Sequence, residues 1–322
     1  MILSVETDAL TATVLVPSWR RPDSLARCLD ALEGQERRPD EVLLIVRADD
    51  GETRTMVDAR PPGLPIRLVP PDREGVTAAL NVGFDEARGD IIAVVDDDTA
   101  PDPDWLARIL ARFAEAPDLA ALGGRDRVVD GDSYLDSPEE LPVGRVLWFG
   151  RVVGNHHLGK GQMRDVHIIK GANMSLRRSA LRDIRIDPTL RGQGMQLHWE
   201  IDLCLALGAS GGRLAYDPAI QLDHFAVPRQ VGGREGFMSP QEDFDAIHNQ
   251  TVALLKHLPP GRRLVAYSYA LLVGTRADPG PVLALAPLVQ LRSPRSALRR
   301  SRVATAARIE ALRSLRRWRR QR

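Results

Sequence analysis

The sequence predicts an α/β fold in which a sheet is buried between helices, and two observations support this. Apolar runs of strand length alternate with amphipathic stretches of helical length from residue 13 to about 125. Three of those runs also lack a polar face: Val14–Val16, Val42–Val46 and Ile91–Val95 are apolar at every position. A strand with one wetted face would alternate apolar and polar residues instead.

The elements come in order. Thr13 to Pro17 reads as the first strand, and Asp23 to Gln35 as a helix with Leu25, Cys28, Leu29 and Leu32 at helical spacing. Val42 to Val46 and Ile66 to Val69 read as strands, Val76 to Ala87 as a helix, and Ile91 to Val95 as a strand. A helix is expected from Asp104 to about Ala116 and a strand from Leu119 to Gly123, while residues 144–171 carry no regular pattern. Helices near Arg177 to Leu181 and from about Glu200 to Leu207, then a strand over Ile220 to His224, close the regular part.

At 322 residues and 43% hydrophobic composition the chain has the makings of a sizeable core. Its formal net charge of +1 conceals an asymmetry. Residues 292–322 hold 12 arginines and one acid, Glu310, which leaves 32 basic and 42 acidic residues before them. Cys28 and Cys204 lack the spacing of a zinc site or a thiol redox pair. The first twelve residues include Glu6 and Asp8 and have neither a basic start nor an apolar run, so no secretory signal is expected. A cytoplasmic location is the corresponding expectation. Apolar runs over 264–274 and up to Leu291 are each shorter than the roughly 20 residues a spanning helix needs.

The strongest chemical signal is Ile91-Ile-Ala-Val-Val-Asp96-Asp97-Asp98, a buried strand that ends in three carboxylates. Ligands of open α/β sheets bind at the carboxyl ends of strands. Adjacent acids repel one another, and a hard divalent cation, Mg²⁺ or Mn²⁺, offsets that repulsion while leaving positions for phosphate oxygens. The competing reading is an acidic turn that merely faces water.

Two further clusters stand out. Glu200 and Asp202 open an apolar-periodic helix, where the exposed amides favour an ionised carboxylate, the state a general base requires; acids also occur there simply as dipole partners. Tyr216 to His224 is a strand ending in an imidazole, either a structural residue or a nitrogen ligand that would favour Mn²⁺. Gly208-Ala-Ser210-Gly-Gly212 spells a hydrolase elbow but ends a helix, the wrong context. Neither G-x-G-x-x-G after a strand nor a P-loop is present, which removes the usual markers of dinucleotide and P-loop chemistry.

Val14-Leu-Val-Pro-Ser-Trp-Arg-Arg21, Gly75 to Gly83, and Gly89 to Leu106 with its Asp96-Asp-Asp-Thr-Ala-Pro-Asp-Pro-Asp-Trp-Leu106 run resemble family 2 glycosyltransferases. The resemblance extends with gaps from about residue 13 to 225. It implies the GT-A fold, a Rossmann-like mixed sheet flanked by helices, with a nucleotide-binding half over about 10–125 and an acceptor half over 126–258. Residues 259–322 would then be an apolar and afterwards arginine-rich helical extension. The implied activity is metal-dependent, inverting transfer of a sugar from a nucleotide diphosphate sugar to a hydroxyl of a glycan, a lipid-linked or a small-molecule acceptor.

By the same resemblance Pro17, Ser18, Arg20, Asp49 or Asp50, and Asp97 belong to the nucleotide-sugar site. Asp96 and Asp98 end the family's Asp-x-Asp motif, with Asp98 the direct metal ligand, Asp96 nearer the ribose and His224 reaching the metal. Asn173 and Trp199 fall on the sugar or acceptor side. Glu200 takes the base position, with Asp202 in reserve. Arg47-Ala-Asp-Asp-Gly51 departs from the usual Asp-Asp-Gly-Ser run, Leu80 stands where many members carry Arg, and Trp199-Glu200 replaces a Glu-Asp pair. Two other readings of the acids are a sugar-1-phosphate nucleotidyltransferase and a non-catalytic nucleotide-sugar-binding protein; Pro17-Ser-Trp-Arg-Arg21 lacks the Gly-rich loop of the former.

The tail places Val303, Ile309, Leu312, Leu315 and Trp318 at roughly helical intervals among arginines, a pattern suited to an anionic membrane surface at the inner face. A solvated basic helix resting on the acidic body is the alternative. Nucleic acid is a poor fit, because Trp318 is the tail's one stacking aromatic.

Overall fold

The computed structural model describes residues 10–131, 133–225, 239–285 and 294–321. Its first part alternates β1 (Ala12–Ser18), α1 (Pro22–Glu33), β2 (Glu41–Val46), α2 (Gly51–Asp58), β3 (Ile66–Val69), α3 (Val76–Glu86) and β4 (Ile91–Val95). Then come β5 (Thr99–Pro101), α4 (Trp105–Glu115), β6 (Leu119–Asp130), β7 (Ser133–Tyr134), β8 (Arg145–Val146), β9 (Val152–Val153), β10 (Arg164–Asp165) and β11 (Asn173–Arg177). The chain continues through α5 (Trp199–Ala209), β12 (Arg213–His224), α6 (Pro240–His257), α7 (Pro260–Leu272), α8 (Pro281–Leu285) and a last helix, α9 (Pro294–Gln321).

The main sheet runs β10-β12-β6-β11-β4-β1-β2-β3, with β5 added to β12 and β7 to β6. Neighbours are parallel from β4 through β1 and β2 to β3, and β11 lies antiparallel between β4 and β6. The sheet is therefore mixed, with its parallel half first in sequence.

Period-2 alternation explains why the central strands are apolar throughout. Leu15, Leu43, Ile45, Ile92 and Val94 face one side and pack with Leu80 and Phe84 of α3 and Leu203 and Leu207 of α5. Val14, Val16, Val42, Leu44, Ile91 and Ala93 face the other, against α1 and α4. Leu25, Cys28, Leu29 and Leu32 of α1 are all 0% exposed, and full burial of each leucine is worth about 1.5–3 kcal/mol.

Several elements depart from the sequence expectation. β6 continues to Asp130 and β12 begins at Arg213 rather than near Ile220. A register shift between Asp217 and Gln221, around Pro218, lets the parallel pairing with β6 survive a residue that cannot donate. β11 was hidden by its polar residues: Asn173 and Ser175 are buried inside the sheet, and the expected helix after it is a single 3-10 turn over Arg178–Leu181. α6 opens on a capping box between Ser239 and Glu242 and is covered by α5 and α9.

The tail is helical, but its Ala304, Ala307, Ala311 and Leu315 are buried and Ala304 and Ala307 cluster with Phe244 and Ile247 of α6. The end of the second apolar run, residues 286–291, and the Trp318 side chain lie outside the described residues. Among the described residues no helix is long and apolar enough to cross a membrane.

α3 approaches β1 through Gly83, where an added Cβ would sit 2.5 Å from Leu15 Cδ1. Gly83→Val is expected to lower stability by about 1–3 kcal/mol through overpacking. Urea denaturation monitored by circular dichroism measures it, and an unchanged midpoint would contradict the close packing.

Candidate functional site

Asp96, Asp97 and Asp98 occupy the turn between β4 and β5. β5 pairs antiparallel with the end of β12, which sets His224 opposite Thr99, and the Phe225 N–H donates to the Asp98 carbonyl at 2.9 Å. This register carries an imidazole from far along the chain to the acidic turn. Asp96, Asp98 and His224 offer ligand atoms that all lie within 4.8 Å of one another, and His224 Nε2 is 3.4 Å from Asp98 Oδ1.

The electrostatics arise from burial and proximity. Burial, then the neighbouring Asp98, pushes the Asp96 carboxyl up to about 6. Burial pulls His224 down, but hydrogen bonding to Asp126 and Asp98 outweighs it and raises the imidazole to about 9. For Asp98 burial works upward, and His224 and Arg21 overcome it, holding the carboxyl below its usual range. The raised value favours the protonated imidazole at neutral pH, so a cation taking His224 as a ligand would compete with that proton. Two carboxylates and one imidazole converging in this way fit a divalent cation of the Mn²⁺ or Mg²⁺ type.

Asp97 turns elsewhere: it accepts from Ser18 Oγ at 2.7 Å and from Arg21 at 3.1 Å. Arg21 also lies 3.3 Å from Asp98 Oδ2, so one guanidinium spans two acids of the triplet. The expected nucleotide contacts Ser18 and Asp97 are thus bonded to each other, tying the end of β1 to the turn. Arg21 was not singled out from the sequence, nor were Asp126 and Lys170. Asp126 is 0% exposed, bonded by the Lys170 ammonium and 3.5 Å from His224 Nδ1. Burial raises its carboxyl, while His224 and Lys170 hold it below the ordinary value. An acid inside a sheet strand is the signal that would have found it, had β6 been read past Gly123.

At the carboxyl ends of β1 and β2, Arg20 adopts φ 53° and its N–H donates to Asp50 Oδ2 at 2.6 Å. Asp50 is 2% exposed and caps α2 by accepting from the Thr53 N–H and hydroxyl, so it serves as a strut rather than as a free nucleotide contact. Asp49 is open to solvent and held by Arg47 at 2.9 Å. The guanidinium groups of Arg47 and Arg20 lie 4.1 and 4.5 Å from the Trp19 ring, beside half-buried Pro17.

On the acceptor side the structure places three expected residues in the interior. Asn173 is 1% exposed, accepts from Trp105 Nε1 at 3.0 Å and donates to the carbonyls of Arg125 and Ile220 at 3.2 Å, so its buried amide joins α4, β6, β11 and β12 with both donors used inside the fold. Trp199 is a core residue at 8% exposure, lying where a Cβ on Gly171 would meet its ring at 2.3 Å. Asp202 is 1% exposed and accepts from Lys256 at 2.9 Å, His257 at 2.8 Å and the Asp187 N–H at 3.1 Å. Its carboxylate fastens α5 to α6 and is not available as a base.

Glu200 is different. It is half-buried in the first turn of α5 and makes no hydrogen bond or ion pair with the described residues. Its neighbour Trp199 packs on Gly171, and Lys170 next to Gly171 bonds the Asp126 that faces His224. A chain of contacts thus links the start of α5 to His224. His156 is buried, with Nε2 2.9 Å from the Ile168 carbonyl, and is structural.

The family described as Glycosyl transferase family 2 matches residues 13–185, a span that includes the acidic turn, Asp126 and Lys170. A glucosyl-dolichyl phosphate glucuronosyltransferase of Haloferax volcanii is 24% identical over 221 residues, 67% of this chain and 68% of its own. Among solved structures, S. aureus TarS in complex with UDP-GlcNAc is similar with a TM-score of 0.57 at 16% identity, over 81% of this chain and 72% of that one. The mannosyltransferase PcManGT from Pyrobaculum calidifontis in complex with GDP-Man and Mn²⁺ is similar at 0.56 and 19% identity, over 95% and 76%. At such identities these likenesses establish the GT-A fold.

Asp202→Asn is expected to cost about 1–3 kcal/mol, since it removes the carboxylate shared by Lys256 and His257 and leaves Asp187, 3.0 Å away, as the remaining counter-charge of Lys256. Burial alone would raise the Asp202 carboxyl, but His257 and Lys256 lower it overall. Its contribution is therefore complete above about pH 4 and is lost as pH falls through the depressed folded value. Denaturation at pH 7 and at pH 3 should show the variant's deficit shrinking on acidification, and a constant deficit would contradict the assignment.

Proposed function

The chain belongs to glycosyl transferase family 2, and from that premise we propose that it moves a sugar, with inversion, from a nucleotide diphosphate sugar to an acceptor hydroxyl. The observation that supports this reading most is the convergence of Asp96, Asp98 and His224 within 4.8 Å at the carboxyl end of β4. Asp98 and His224 would hold a divalent cation, with Asp96 beside it, and the imidazole favours Mn²⁺ over Mg²⁺. Bound there, the cation would supply positive charge to the departing diphosphate.

The chain's own residues carry the rest. Glu200 takes the proton from the acceptor hydroxyl as that oxygen bonds to the anomeric carbon. The bond from that carbon to the donor's phosphate oxygen breaks, and the oxygen leaves with the electron pair. Arg21 and Ser18 keep Asp97 out of the way of the metal ligands. Pro17, the Arg20 backbone and Asp49 rim the nucleotide side, where the indole of Trp19 is part-exposed. A lipid-linked acceptor is the class we favour, in keeping with the dolichyl phosphate substrate in the name of the Haloferax volcanii relative.

Glu200→Gln is expected to keep donor affinity and to lose roughly 10²- to 10⁴-fold in kcat; unchanged turnover would move the base elsewhere. Asp98→Ala should abolish the metal-dependent part of donor binding. Isothermal titration of UDP-, GDP- and dTDP-sugars with and without Mn²⁺ measures this, and equal affinities for the unsubstituted enzyme would remove the metal from the mechanism.

A further inference from the structure

Of the twelve large hydrophobic side chains that stand exposed among the described residues, seven lie in α7, α8 and α9. On α7, Leu264 is 70% exposed, Val265 38% and Leu272 53%. Positions 264, 265 and 272 fall within about 100° of one another around a helix of 3.6 residues per turn, so they form one stripe. The stripe continues onto α8. The Gly280 N–H donates to the Val273 carbonyl at 2.7 Å, and a Cβ on Gly280 would sit 2.4 Å from the Leu272 carbonyl oxygen. Val282 and Leu285 of α8, 60% and 64% exposed, therefore come directly after the end of α7.

Charge identifies what this face would meet. Residues 259–322 contain 15 arginines, no lysine and two acids, Asp278 and Glu310, whereas the preceding 258 residues contain 29 basic and 41 acidic residues. Arg276, between α7 and α8, and Arg299, Arg300 and Arg302 of α9 are exposed. A second copy of the chain would bring the same positive charge to this face and be repelled. Nucleic acid would call for exposed rings to stack on, and the exposed side chains of α7 and α8 are aliphatic. Aliphatic side chains rimmed by arginines match the headgroup and acyl boundary of an anionic bilayer.

We propose that the α7–α8 face, with Arg276 between its helices and the exposed arginines of α9 adding positive charge, docks the enzyme on an anionic lipid surface. Most of the apolar contact comes from α7 and α8: on the tail Ala304, Ala307, Ala311 and Leu315 are buried, which leaves Leu298 and Ile309, 43% and 39% exposed, as its large apolar contribution. The helices lie on the bilayer rather than span it. Such docking would bring an acceptor carried on a lipid to the enzyme, yet it is measured without turnover, so its failure leaves the sugar-transfer reading standing.

Flotation of the full chain with vesicles of phosphatidylcholine containing phosphatidylglycerol, against vesicles of phosphatidylcholine alone, tests it. The chain should float with the anionic vesicles at least about tenfold more than with the neutral ones, and less as salt rises. Leu264→Glu/Leu272→Glu/Leu285→Glu should lose most of that binding while keeping the unsubstituted melting temperature and Mn²⁺-dependent donor binding. Arg276→Glu/Arg299→Glu/Arg300→Glu should lose it as well. Flotation by neither vesicle, or an aliphatic triple variant that binds like the unsubstituted chain, overturns the proposal. Concentration-dependent self-association that the leucine substitutions abolish, with no flotation, would assign the face to a second copy instead.

Discussion

The site depends on the mutual repulsion of three consecutive carboxylates at the end of a buried strand. Two like charges about 4 Å apart cost on the order of 1 kcal/mol in water and about 4 kcal/mol near a protein surface, and Asp96–Asp98 must bear this at a strand end that is mostly buried. The fold distributes the load. Asp97 is turned onto Ser18 and Arg21, and Asp98 is shared between Arg21 and His224. Asp96 has no ion pair among the described residues, and its carboxyl is raised to about 6. The β5–β12 pairing is part of the same solution, since it delivers the imidazole. What remains is a cluster of donor atoms that could hold a divalent cation.

Legibility from sequence divided along a physical line. The parallel half of the sheet could be read because β1, β2 and β4 are buried on both faces and carry unbroken apolar runs, while the edge strand β3 is half-buried and includes Arg67. The acidic turn could be read because nothing apolar dilutes it. β11 and the outer part of β6 could not, because there the sheet buries Asn173, Ser175 and Asp126, polar residues whose hydrogen bonds come from elements distant in sequence. Asp126 and Lys170 were missed for the same reason: their significance lies in a contact across 44 residues.

The choice between Glu200 and Asp202 shows what sequence position leaves open. Both acids occupy the first turn of α5, and the helix dipole favours ionisation of either. What separates them is Lys256 and His257 of α6, which claim Asp202 and leave Glu200 without a partner among the described residues. α6 does more of this work through Asn249, which accepts from the Arg191 N–H and donates to the carbonyls of Arg191 and Leu197, pinning the segment that leads into α5. α6, which like α5 follows the family-matched region, thus holds the segment that carries the proposed base.

That dependence extends to the end of the chain. A helix as rich in arginine as α9 would be marginal alone, since like charges one turn apart repel and its apolar stripe is mostly alanine. Alanine nevertheless suits its place: Ala304 and Ala307 let the backbone come close to α6, and His248 of α6 meets Ser314 at 3.1 Å. Arg308 is the exception to the outward arginines, buried and donating to the Asp278 carbonyl at 2.8 Å. Packing of this kind turns a run of positive charge from a diffuse tail into a fixed surface, with its arginines held in constant relation to the aliphatic stripe of α7 and α8. A rigid charge pattern could meet the proposed anionic layer at several points together, and the same helix braces α6, whose Asn249 pins the segment leading into α5.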